Sequence, residues 1–189
     1  AVDLGIDDTR VSKRTLKGGR QDGVDLIEIE NGDLSFCILP TRGMGIWRGN
    51  YKGKYLGWRS PIKGPVNPAF VDLHDRGGLG FASGFDEWIV RCGLNSMGSP
   101  AEDVVIDNHG NPSMIQLTLH GKIANTPAHY VEIEAKPETE TIIVKGEVDE
   151  AAIFMPGIRL TTAIATQRQS GKFTITDTVT NIMGSQTEL

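Results

Sequence analysis

Short strand-like segments that alternate with short polar turns constrain the fold of this chain most strongly. In residues 158–166 and 172–181, IRLTTAIAT and KFTITDTVTN, apolar and polar residues alternate on both sides of the turn QRQSG. Residues 129–135 and 141–149 flank the turn KPETE in the same way. A period of two places apolar side chains on one face of a strand, and short turns join antiparallel neighbours. The pattern predicts an all-β chain that forms a sandwich or a barrel.

Further strands are predicted nearer the start of the chain. Residues 34–40, LSFCILP, are apolar, end at Pro40 and follow an Asn-Gly turn. Residues 45–58 predict two short strands around a turn rich in glycine and asparagine. Residues 114–120, MIQLTLH, alternate and place His120 at the predicted end of a strand. Residues 59–84 contain three prolines and five glycines without periodicity, which predicts a long irregular segment.

The sequence pattern of one segment is compatible with either a helix or a strand. GFDEWIVRCGL, residues 84–94, spaces Phe85, Trp88, Ile89 and Cys92 as on a helix face, but glycines at both ends limit a helix to about two turns. A strand is equally compatible with these residues. We expect at most one or two short helices in the chain, most readily between residues 77 and 92.

Composition narrows the classes of partner. The 189 residues suffice for one domain, and the net charge of −5 argues against nucleic acid and anionic membrane surfaces. No apolar run approaches the roughly 18 residues of a membrane span. Cys37 and Cys92 lie in apolar stretches, which predicts free thiols in a reducing compartment and a cytoplasmic protein.

Polar residues with apolar neighbours mark three candidate site segments. They are TRGMGIW (41–47), GFDEWIVRCGLNSMGSPAED (84–103) and LTLHGKIANTP (117–127). Forked hydrogen bonds and aromatic stacking are the means by which proteins bind polyhydroxylated rings. The candidate residues for such binding are Arg42, Asp86, Glu87, Trp88, Arg91, Asn95 and His120.

Each candidate also has a structural explanation. Asp86 or Glu87 could pair with Arg91 at helical spacing, and His120 could simply end its strand. His74 and Asp75 lack a partner at metal-ligand spacing, so no metal site is predicted, and no cofactor is expected. No serine lies in a GxSxG context, and no phosphate-binding glycine motif is present.

The order of these segments resembles an uncharacterised branch of the galactose mutarotase-like (aldose 1-epimerase) superfamily. The resemblance runs from about residue 17 through LPTRGMGIW, RCGL, LTLHGKIANTPA and KFTITDTVTN. It implies a large antiparallel β-supersandwich with a sugar-binding cleft. The LHGK of residues 119–122 is similar to the LHGG that carries a sugar-binding histidine in mutarotases, which implies a catalytic-site role for His120. Lys122 departs from the second glycine of that motif.

The resemblance also implies a function and its limits. Mutarotases interconvert sugar anomers with a histidine acid and a glutamate base, and the resemblance places both beyond Leu189. We therefore expect residues 1–189 to be a single domain that forms the N-terminal portion of a larger, here incomplete, β-sandwich and is inactive alone. The expected function is an aldose 1-epimerase type of carbohydrate-binding enzyme. A non-catalytic sugar-binding module and a purely structural sandwich are the alternatives.

The expected ligand is a small-molecule sugar of unspecified identity. The two arginines, Arg42 and Arg91, would suit a sugar that carries an anionic group, because guanidinium forks bind carboxylates and phosphates. The oligomeric state is left open by the sequence.

Overall fold

The fold is known from a computed structural model that describes residues 5–106, 109–153 and 156–183. The first sheet has the order β1 (Arg10–Thr15), β2 (Asp25–Glu30), β3 (Leu34–Leu39), β4 (Gly45–Tyr51) and β5 (Lys54–Leu56). A separate hairpin consists of β6 (Ala101–Ile106) and β7 (Pro112–Leu117). The second sheet contains β8 (Tyr130–Lys136), β9 (Thr141–Glu150), β10 (Ile158–Gln167) and β11 (Phe173–Asn181), in the order β11-β10-β9-β8. Every strand pair is antiparallel.

Helical structure among the described residues is limited to single turns. The one α-helical turn is α1 (Asp75–Gly78). The 3₁₀ turns are Gly19–Gln21, Pro40–Arg42, Pro68–Phe70, Gly80–Ser83, Ile123–Asn125 and Pro137–Thr139. The predicted all-β class is confirmed, and the described helical turns break up the connections between strands.

The hydrophobic core lies between the two large sheets. Its centre combines Ile29 and Phe36 of the first sheet with Val144 and Ile164 of the second, all of them buried. Along β9 every second side chain is buried, as an alternating strand against a core requires. Gly146 belongs to this buried series because a Cβ there would meet the Met44 sulfur at 2.3 Å. The period of two in the sequence therefore sets which face of the second sheet is buried.

The predicted strands agree with the structure in most places. The paired segments before and after KPETE and QRQSG form β8 to β11, and residues 45–58 contain β4 and β5 around a turn. The strand predicted for residues 114–120 ends earlier, at Leu117, so His120 lies three residues beyond it in a turn. The sequence analysis did not predict strands β1, β2 and β6; neither β1 nor β6 shows a sustained apolar alternation.

Residues 84–94 form neither a helix nor a named strand. Isolated bridges join Ile89 to Ile46 and Gly93 to Gly121, and the rest of the segment has irregular backbone. Its conformation is set by partners on other elements, since Trp88 N–H donates to the Trp47 carbonyl at 2.9 Å. Residues 59–84 are irregular apart from single helical turns, as predicted.

Asn31 ties the two sheets together at one end of the sandwich. Its fully buried amide nitrogen donates to Thr166 Oγ1 at 2.7 Å and to the carbonyl oxygens of Gln167 and Ser170 at 2.9 and 3.0 Å. Its amide oxygen accepts from the Leu34 N–H at 2.8 Å. The Asn-Gly turn between β2 and β3 thus also anchors the turn between β10 and β11.

The two thiols are free, and burial raises the pKa of both Cys37 and Cys92. Among the described residues, no helix is long and apolar enough to cross a membrane.

Candidate functional site

Arg42 and Glu87 form a fully buried ion pair. Arg42 follows β3 in the turn Pro40–Arg42 and is 0% exposed, and its Nε donates to Glu87 Oε1. Its Nη1 donates to the Val66 carbonyl at 2.9 Å and to Asn125 Oδ1 at 3.1 Å. The guanidinium therefore joins three chain segments, and most of its donors are already occupied by protein oxygens.

Asp86 lies beside this pair and carries an unusual carboxyl group. Its Oδ2 accepts a hydrogen bond from Trp47 Nε1 at 2.8 Å, and its backbone N–H donates to Glu87 Oε2 at 3.0 Å. Burial, together with the smaller effect of the nearby Glu87 charge, raises the pKa of Asp86 to about 6 against the opposing Trp47 hydrogen bond. This carboxyl can therefore gain or lose a proton near neutral pH.

Trp88 packs into the interior between the sheets. Its ring meets Phe173 edge-on with centroids 5.8 Å apart, and a Cβ at Gly49 would contact it at 3.3 Å. The indole is partly buried against the core. Packing explains this position, which leaves less of the ring available for stacking.

Arg91 binds the inner face of the second sheet. Its Nη1 and Nη2 donate to the two carboxylate oxygens of Asp177 at 2.7 and 3.0 Å, and Nη2 also donates to Thr162 Oγ1 at 3.0 Å. The Arg91 side chain is only 11% exposed. Because Glu87 pairs with Arg42 and Arg91 with Asp177, the alternative of an Arg91 pair with Asp86 or Glu87 on a helix is wrong.

The His120–Gly121 turn is fixed by backbone bonds to the segment that follows Arg91. Both residues have positive φ, 57° and 72°. His120 N–H donates to the Gly98 carbonyl at 2.9 Å, and Gly93 N–H donates to the His120 carbonyl at 3.0 Å. A Cβ on Gly121 would lie 2.4 Å from the Ser96 oxygen, so only glycine fits this approach. This turn thus joins the second and third candidate segments, and the bonds of Arg42 to Glu87 and Asn125 join the first segment to both.

The His120 imidazole is held by an aromatic neighbour. Phe81 contacts it edge-on at a centroid distance of 5.4 Å. The buried Nδ1 has no hydrogen-bond partner among the described residues. An unpaired ring nitrogen can bind a ligand or exchange a proton, which is the property that the predicted role of His120 needs.

Asn95 lines a cavity that the sequence did not predict. The cavity has a volume of about 460 Å³ and lies between the β6–β7 hairpin and the adjoining ends of β9 and β10. Glu150, the last residue of β9, also lines this cavity. The signal was present, because the alternation of TIIVKGEVDE places Glu150 on the buried face of its strand.

A second groove on the surface contains no predicted site residue. An open polar groove of about 790 Å³ lies among the turns of the first sheet, with Asp8, Asp33 and Lys52 in its walls. In the part of the chain that the structure describes, no group of three potential metal ligands comes together.

Comparisons with known proteins identify the family. The domain of unknown function family DUF4432 matches residues 21–189. The chain belongs to this family. No curated protein matches it.

One solved structure is similar over almost the whole chain. It is described as a "putative aldose 1-epimerase" from Klebsiella pneumoniae subsp. pneumoniae MGH 78578. The sequence identity is 35% and the TM-score is 0.83, over 94% of this chain and 45% of that one. The DUF4432 chain thus spans about half the length of this relative. The likeness confirms the predicted galactose mutarotase-like β-sandwich fold.

Proposed function

We propose that this DUF4432 chain is the N-terminal portion of a sugar-binding enzyme of aldose 1-epimerase type. The observation that carries the proposal is the 35% identity over 94% of the chain with a protein of that description. The site geometry supports it, because the His120 turn and the Arg91 segment meet through the Gly93–Gly121 bridge.

The proposed chemistry is acid–base opening of a sugar ring. One group protonates the ring oxygen while another removes the proton of the anomeric hydroxyl, and the ring then closes on either face. Each positioned proton-transfer group contributes roughly 10²- to 10⁴-fold to the rate. His120 would donate or accept the proton at one end of this transfer through its unpaired Nδ1.

The other predicted site residues would orient the sugar rather than react. Arg91 and Asp177 form an ion pair on the sheet. Their polar atoms could form hydrogen bonds with sugar hydroxyl groups, and neither charge would be left uncompensated. Asn95 is exposed and can both donate and accept. Arg42 and Glu87 would act indirectly, since their buried pair holds the segments in place.

Polarimetry tests the activity on a polypeptide that continues beyond residue 189. We expect fast mutarotation of at least one aldose, reduced roughly 10²-fold or more by His120→Ala. His74→Ala, an exposed histidine on a separate turn, is the control and should leave the rate unchanged. Equal rates in both variants would refute the role of His120.

Binding by residues 1–189 alone separates the enzyme from the non-catalytic module. Saturation-transfer NMR with aldoses should show binding without mutarotation above the solvent rate, because we propose that the second proton-transfer group lies outside these residues. If the longer polypeptide also binds without turnover, the sugar-binding module is the better description.

A further inference from the structure

The cavity at Asn95 and Glu150 has the size and lining of a ligand site. Its volume of about 460 Å³ lies within the range of roughly 300–1,000 Å³ for small-molecule pockets. Val105, Ile115, Leu117 and Ile158 give it an apolar wall. Such a wall suits the C–H face of a sugar ring.

Glu150 has a carboxyl oxygen that the protein leaves unpaired. The residue is 8% exposed, and its Oε1 accepts the Leu94 N–H at 3.0 Å. Oε2 is buried and has no partner among the described residues. Burial raises the pKa of this carboxyl, against the smaller opposing effects of the Leu94 and Asn95 N–H groups and of the Lys122 charge.

A purely structural role explains only one of the two carboxyl oxygens of Glu150, Oε1. The Oε1 bond holds the turn after Gly93, and a glutamine or an asparagine could do the same. A buried acceptor without a donor is unfavourable, and native proteins seldom keep one without a function or a bound partner. Oε2 therefore needs a donor that the described residues do not supply.

The charges of the lining residues limit which ligand can supply that donor. Asp149 is paired with Arg159 at 2.8 Å, which leaves Asp103 and Glu150 opposite Lys122. No arginine lines the cavity, and both arginines of the predicted site are neutralised, by Glu87 and Asp177. An anionic ligand would meet more negative than positive charge here.

We propose that this cavity binds an uncharged or amino sugar, and that Glu150 Oε2 accepts a hydrogen bond from a hydroxyl or ammonium group of that sugar. The proposal rests on the proposed function for its ligand class, which is a sugar. It reverses the sequence-based expectation of an acidic sugar, because the charges of the two arginines on which that expectation depended are paired with Glu87 and Asp177.

The test is the affinity of the whole chain for three sugars of similar size, measured by titration NMR. Glucosamine and glucose should bind, and glucuronate should bind at least about tenfold more weakly. Glu150→Gln retains an acceptor for the Leu94 N–H but removes the charge. It should weaken the binding of glucosamine about tenfold or more and the binding of glucose by less. Glu138→Gln, the same change at an exposed turn, should alter neither affinity.

A second variant blocks the cavity without touching Glu150. Ala151 lines the cavity and is exposed, so Ala151→Trp should fold and weaken both glucosamine and glucose. If sugars bind, lose affinity with His120→Ala and are unaffected by both cavity variants, the inference is wrong and the proposed function stands. If the wild-type chain and its longer form bind no sugar, the proposed function fails. Preferred binding of glucuronate would also overturn the inference.

Discussion

At the scale of single residues, the predicted site residues differ in the partners that their side chains bind. Arg42 and Glu87 use their charges on each other, although 45 residues separate them in the chain. The four-residue spacing of Glu87 and Arg91 instead fits a pair on a helix. Residue types and their clustering could be predicted, whereas pairing depended on a fold that brings distant segments together.

The Arg42–Glu87 pair should be a major contributor to stability. Arg42→Met leaves the Glu87 carboxylate buried and uncompensated, so we expect the free energy of unfolding to fall by about 3–5 kcal/mol. Urea denaturation followed by tryptophan fluorescence measures the change. Lys13→Met, which removes the exposed pair with Asp25 at 3.4 Å, should cost no more than about 1 kcal/mol. Similar losses in the two variants would contradict the buried role of Arg42.

Asp86 should make stability depend on pH between about 4 and 6. Its folded pKa of about 6 exceeds the ordinary value of 3.8, so the folded state holds the proton more tightly than the unfolded state. The contribution of Asp86 is therefore most favourable below pH 4 and is lost as pH rises through 6. Asp86→Asn retains an acceptor for Trp47 and should raise the melting temperature relative to wild type at pH 7 but not at pH 4. An unchanged difference across this range would show that Asp86 has an ordinary pKa.

At the scale of elements, regular strands were predictable and irregular segments were not. The sequences of β8 to β11 alternate over seven to ten residues, and in β9 and β10 this alternation determines which side is buried. Residues 84–94 instead take their conformation from backbone bonds to β4 and to the His120 turn. Those bonds join residues far apart in the chain, so no local pattern indicates them. Glu150 shows the intermediate case, where the strand period predicts burial but not the cavity beside it.

The close approach of the His120 turn to the Gly93 segment should depend on Gly121. Gly121→Ala combines a φ of 72° with a Cβ 2.4 Å from the Ser96 oxygen and 2.5 Å from the Gly93 oxygen. We expect a loss of at least about 2 kcal/mol in unfolding free energy, together with shifted NMR resonances of His120. Gly53→Ala has a φ of 80° but open space around the new Cβ, so it isolates the cost of the backbone angle, about 1 kcal/mol. Equal costs in the two variants would show that the contact between the segments is loose.

At the scale of the whole molecule, the two sheets share one core but differ at their edges. In the first sheet the edge strand β5 has only three residues. In the second sheet β11 has nine residues, and within the described ranges it pairs only with β10. Six successive residues, from 176 to 181, are exposed on this strand. A long edge strand of this kind is a template for another strand. The proposal of a larger sandwich would provide that strand, in line with the 45% coverage of the similar structure.

The β11 edge should therefore govern the association state of residues 1–189. We expect concentration-dependent self-association in sedimentation experiments, with β11 pairing to a second copy because, within the described ranges, a neighbouring strand covers only one of its two edges. Thr178→Lys places a charge beside this edge in both copies, and should raise the dissociation constant about fivefold, equivalent to ~1 kcal/mol. Thr161→Lys is the matched control, since Thr161 pairs directly with Thr178 across the ladder but belongs to the inner strand β10. A longer polypeptide that completes the sandwich should remain monomeric under the same conditions. If residues 1–189 are monomeric at every concentration, or if both lysine variants dissociate equally, the edge of β11 is not the interface, and the proposal that further strands cover it loses its support.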